Sequence, residues 1–95
     1  MKWIEVIQLR SAEINRNLLE SKLNRLIGDA DRGSNKQVIM AYSRVLIDTD
    51  FSIHLCHDSN EAKHDGSRLG VRIVNALKEF GIVNHSVWVE IHGRR

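Results

Sequence analysis

The segment His54-Leu55-Cys56-His57-Asp58 packs two imidazoles, a thiol and a carboxylate into five positions, and Trp88, Glu90 and His92 stand near the end of the chain. Such side chains move protons, ligate metals or act as nucleophiles, so their spacing decides which chemistry is open. Along a strand successive side chains point to opposite faces, which puts His54 and Cys56 on one side and His57 on the other. That alternation does not build a compact metal site. No CxxC or HxxxH-type spacing accompanies it, and no metal and no cofactor are expected. Cys56 as a nucleophile needs an adjacent base and an electropositive site, and the base nearest on its own face is His54. Glu90, His92 and His54 form a proton-transfer set if they meet, since carboxylate and imidazole perturb each other's pKa. No nucleophile or cofactor motif stands beside them.

The elements that must position these residues follow the order strand, helix, strand, strand, helix, strand. Trp3–Leu9 has the branched and apolar content of a strand. Ser11 is a candidate cap for a helix beginning near Ala12, with Glu13 in its first turn. Ile14, Leu18, Leu19, Leu23, Leu26 and Ile27 form its apolar stripe, and Gly28 stands where a helix ends. Residues 29–36 read as a loop. A long strand over 37–47, a turn at Asp48-Thr49-Asp50 and a strand over 51–57 come next. Ser67 is the candidate cap of a second helix whose inner face carries Leu69, Ile73, Ala76, Leu77 and Phe80. Gly66-Ser67 is either that cap or an anion site with Arg68 in reach. Asn84-His85 reads as part of the connection into a last strand over 86–92. His64 falls in a polar loop and is expected at the surface.

Such an order predicts a single domain over 1–95. Its class is α+β, a ferredoxin-like βαββαβ sandwich with a four-stranded antiparallel sheet and both helices on one face. The 95 residues are 42% hydrophobic and 27% charged, ordinary globular values. A net charge of +2 with dispersed basic residues argues for neither nucleic acid nor membrane as a partner. The single cysteine forbids an intrachain disulfide and fits a reducing compartment. Polar residues arrive too early for a signal peptide, so a cytoplasmic protein is expected.

The second face of the sheet ought to be polar, yet the strand over 37–47 is mostly apolar on both sides. A sheet apolar on both faces is covered on both, and a second copy of the chain is the expected cover. The open face would hold Ser52, His54, Cys56, Trp88, Glu90 and His92, joined by Trp3 and Glu5 or by Gln8 and Arg10. His54, Cys56, Trp88, Glu90 and His92 are the candidate ligand-binding residues. The third and fourth strands, which carry them, flank the first and so lie two strand spacings, roughly 9–10 Å, apart.

The stretches 51–55, 70–72 and 76–88 resemble a group of small uncharacterised bacterial proteins similar in layout to dimeric ferredoxin-like α+β barrels. That resemblance implies the fold and the dimer and no activity. Antibiotic-biosynthesis-type monooxygenases share the layout, an analogy of fold only. The expected function is a homodimeric small-ligand binding or regulatory module. A cofactor-independent enzyme on the same face and a pure protein-interaction domain remain the alternatives.

Overall fold

A computed structural model describes residues 1–12, 16–31 and 38–94. Its elements run β1 (Lys2–Ser11), α1 (Arg16–Asp31), β2 (Val38–Arg44), β3 (Ile47–Asp58), α2 (Arg68–Leu77) and β4 (Gly81–Val89). The strands form one antiparallel sheet in the order β2-β3-β1-β4. This is the ferredoxin-like arrangement that the order of the elements predicts.

Burial alternates along β1: Trp3, Glu5, Ile7, Leu9 and Ser11 point inward. Ile7, Leu9, Phe51, Ile53 and Leu55 from the sheet meet Leu19 and Leu23 of α1 and Ile73 and Leu77 of α2, with Phe80 closing the end. One core therefore holds both helices against one face. Fully burying each such side chain stabilises the fold by about 1.5–3 kcal/mol before ordering costs.

Several boundaries differ from the expected ones. Ser11 does not cap α1; it ends β1, and its hydroxyl donates to the Thr49 carbonyl at 2.9 Å. Glu13 and Ile14 lie outside the described residues. The apolar stripe of α1 is narrower than its sequence implies, because Leu18 is exposed. The helix also runs through Gly28 to Asp31. One glycine costs a helix about 1 kcal/mol, which propagation across a 16-residue segment can absorb.

The hairpin turns at Val45-Leu46 rather than at Asp48-Thr49-Asp50, with Arg44 opposite Ile47. Asp50 is instead a strand residue opposite Arg10, and it forms ion pairs with Arg10 and Arg44. These pairings, with the hold on Thr49, outweigh local turn propensity. Leu46 takes up the turn at φ 64°, a region that costs a leucine about 1–2 kcal/mol.

The last strand begins at Gly81 and stops at Val89, earlier at both ends than expected. Its partner sets those limits. Gly81 faces Ser11 at one end of β1, and Val89 faces Trp3 at the other. One further bond, from the Glu90 amide to the Lys2 carbonyl at 2.9 Å, finishes the pairing. Asn84 and His85 are consequently strand residues, not a connection.

Candidate functional site

Register turns the open face into a grid, because residues opposite one another in antiparallel strands share a face. Reading from β2 to β4, one row is Val38, Cys56, Ile4 and Trp88. The next is Met40, His54, Val6 and Ser86, and the third is Tyr42, Ser52, Gln8 and Asn84. In the last row Asp50, Arg10 and Ile82 stand side by side, and Arg44 joins them through its ion pair with Asp50. The face is divided along the strands: apolar at one end, polar and charged at the other.

At the apolar end Val38 and Trp88 are each 59% exposed and Met40 is 45% exposed. Gln8 and Arg10, rather than Trp3 and Glu5, are the β1 residues on this side. His54 sits between the two ends, with Nε2 3.0 Å from Ser52 Oγ and its ring 4.9 Å from that of Tyr42. The Trp88 indole N–H donates to Ser86 Oγ at 2.8 Å. Cys56 is half-buried, and its row neighbours Val38 and Ile4 carry no base. Glu90 and His92 follow the end of β4 and are exposed. Alternation thus brings His54, Cys56 and Trp88 onto one face, whereas Glu90 and His92 come after the strand whose pleat would have aligned them.

At the polar end lies a groove of about 470 Å³ lined by Gln8, Arg10, Tyr42, Arg44, Ser52 and Asn84, with Asp50 in its wall. Arg44 Nη1 stands 3.1 Å and Arg10 Nε 3.5 Å from the Asp50 carboxylate. Burial pushes the Asp50 pKa up, but hydrogen bonds from Arg44 and Thr49 and the Arg10 charge outweigh it and hold the carboxyl below its ordinary value.

A second cluster lies on the helix side. Glu5 is wholly buried in the middle of β1, yet four donors reach its carboxylate. The Ser67 amide donates to Oε1 at 2.8 Å and the Ser67 hydroxyl to Oε2 at 2.5 Å. His57 Nε2 lies 2.6 Å from Oε2 and His85 Nε2 2.9 Å from Oε1. Ser67 is also the N-cap of α2, accepting from the Gly70 amide at 3.0 Å. The carboxylate therefore occupies the anion position at a helix N-terminus, supplied from within the chain. Gly66 and Gly70 leave the room it needs; a Cβ at either would collide with Glu5. Burial raises the Glu5 pKa, but hydrogen bonds from the Ser67 hydroxyl, His57, the Ser67 amide and His85 hold it below the ordinary value.

This cluster resembles a catalytic triad in composition only. In a triad the imidazole stands between hydroxyl and carboxylate and takes the hydroxyl proton. Here the carboxylate is the hub: Ser67 donates to it directly, and no imidazole stands between them. Trp3 stacks on His57 with ring centroids 4.0 Å apart and donates to Ser59 Oγ at 2.8 Å, sealing one side. The hub is a lock between sheet and helix.

The sequence carries a signal for it. Each of the three strands places one titratable residue in its inward apolar series: Glu5 between Trp3 and Ile7, His57 after Leu55, and His85 between Val83 and Val87. Among the described residues no three His, Cys, Asp or Glu side chains are placed to hold a metal ion. No described helix is long and apolar enough to cross a membrane. No family model matches the chain, and neither the curated proteins nor the solved structures hold a match to it.

Proposed function

We propose that this chain is a homodimeric small-ligand binding module in which two open sheet faces close on each other. The observation that supports this reading is the division of that face. Val38, Met40, Ile4 and Trp88 offer apolar area beside a groove of about 470 Å³ whose lining is rich in hydrogen-bonding side chains. Pockets that hold small molecules have volumes of about 300–1,000 Å³ and combine an apolar body with a few placed polar groups.

A second copy suits the apolar end. Over the whole open face, groove included, four strands about 4.8 Å apart and six residue steps of about 3.4 Å give roughly 400 Å² in flat projection. With side-chain relief, two such faces bury on the order of 1,000 Å², the lower bound of a specific interface. Among the described residues no helix lies on this face, and a layer laid over it would roof the groove. His54 stands at the boundary between the two ends. There it can hydrogen-bond a ligand while Trp88 packs in the contact.

Sedimentation equilibrium at micromolar concentration tests the reading. We expect a dimer, and Met40→Asp should shift it toward the monomer by putting an unpaired charge in the contact. Val71→Asp, on the exposed side of α2, should leave the association unchanged. A wild-type species near 10.9 kDa at every concentration overturns the dimer.

A further inference from the structure

We infer that the groove at the polar end of the open face binds a small organic monoanion, its carboxylate held by Arg44 and Arg10. The inference rests on the binding reading above and names the class of ligand.

Charge carries the argument. Two guanidinium groups converge on the single carboxylate of Asp50, which leaves one positive charge in excess among the described groove residues. Both arginine side chains are more than half exposed, at 70% for Arg10 and 57% for Arg44, whereas that of Asp50 is 14% exposed. The acid is therefore tucked into the wall, and the two cationic side chains that line the groove stay exposed. Arginine presents five donors in a plane that matches a carboxylate in pairs. Asp48 does not line the groove; it lines the neighbouring recess at the hairpin turn, which Arg44 also borders together with Arg16.

The remaining lining sets the body of the ligand. Gln8, Ser52 and Asn84 stand side by side in one row across the sheet and can donate to or accept from hydroxyl or carbonyl oxygens. Tyr42 and Ile82 close the two sides with a ring and a branched chain. A singly charged, partly planar, oxygen-bearing acid matches this surface in charge and polarity.

The probe is 4-hydroxybenzoate, with 4-hydroxybenzamide as its uncharged counterpart. Binding is read by ¹H–¹⁵N spectra that include arginine Nε and side-chain amides, and association by sedimentation of the same samples. We expect the acid to shift Arg10 and Arg44 Nε and the Gln8 and Asn84 amides, and to bind at least tenfold tighter than the amide. Arg44→Gln should weaken it about tenfold. Asp50→Asn should tighten it, since the competing carboxylate is gone; a merely structural Asp50 would give the opposite sign.

Equal binding of acid and amide, shifts confined elsewhere, no binding, or weaker binding in Asp50→Asn overturns the inference. A dimer without binding leaves the association standing and removes the anion site. A monomer that binds the acid does the reverse.

Discussion

Ser67 donates two hydrogen bonds to one carboxylate 62 positions earlier in the chain, that of Glu5, and by the same residue caps α2. The first strand and the second helix are thereby joined at a single buried point. β3 and β4 each contribute an imidazole to it.

Glu5→Gln keeps the shape and removes the charge. A glutamine brings an NH₂ group to a place where four donors already converge, so at least one donor loses its acceptor. We expect a loss of about 2–4 kcal/mol in urea denaturation, with the fold retained. Ser67→Ala removes one bond to Glu5 and the cap together and should cost about 1–3 kcal/mol.

Acid should unlock the same point. The Glu5 pKa is lowered in the folded state from its ordinary 4.5, so its contribution to stability is full above that value. It declines as pH falls through the folded value, because the unfolded chain binds the proton first. Asp50 has the same sign from an ordinary value of 3.8. Denaturation midpoints measured down to acid pH should fall steeply in the wild type. The fall should be shallower in Glu5→Gln, which has no proton to take up there.

Two glycines should respond with opposite signs. A Cβ at Gly81 would collide with the Arg10 carbonyl and Ser11 Cα, both backbone, so Gly81→Ala should cost about 1–3 kcal/mol. Gly28, inside α1, has open space where its Cβ would stand. Gly28→Ala should therefore stabilise the protein by about 0.5–1 kcal/mol, read as a rise in thermal midpoint.

Leu46 sits fully exposed at the hairpin tip with a positive φ. Asparagine tolerates that conformation better, and Leu46→Asn also removes an exposed apolar side chain. A gain of about 1 kcal/mol is expected in thermal or urea unfolding.

These residues also mark what local sequence can specify. Alternation in Phe51–His57 and Trp3–Leu9 sorts each strand into two faces, and Ser67 is a cap by sequence and by structure. Turn chemistry misleads at Asp48-Thr49-Asp50, because Arg10 and Arg44, remote or across the hairpin, claim Asp50. The ends of β4 depend on where β1 ends, which no residue of β4 encodes. His54, Cys56 and Trp88 share a face by period alone, whereas Glu90 and His92 needed the strand to continue. The Glu5 hub was harder to see. His57 is the partner of Trp3 and His85 that of Ile7, so each imidazole reaches Glu5 diagonally from a neighbouring strand. Only the register of all three strands brings them together.

The two tryptophans sit on opposite sides of the sheet in opposite surroundings. Trp3 is 3% exposed and lies flat against His57, whereas Trp88 is exposed on the other face. Their emission should separate into a short-wavelength component shielded from acrylamide and a long-wavelength component that acrylamide quenches. Trp88→Phe would leave an optical gauge of the Glu5 lock, read at the ring stacked on His57. Trp3→Phe would leave one that registers whatever settles on the open face. The chain thus carries a separate fluorescent reporter for each of its two surfaces, with no label added.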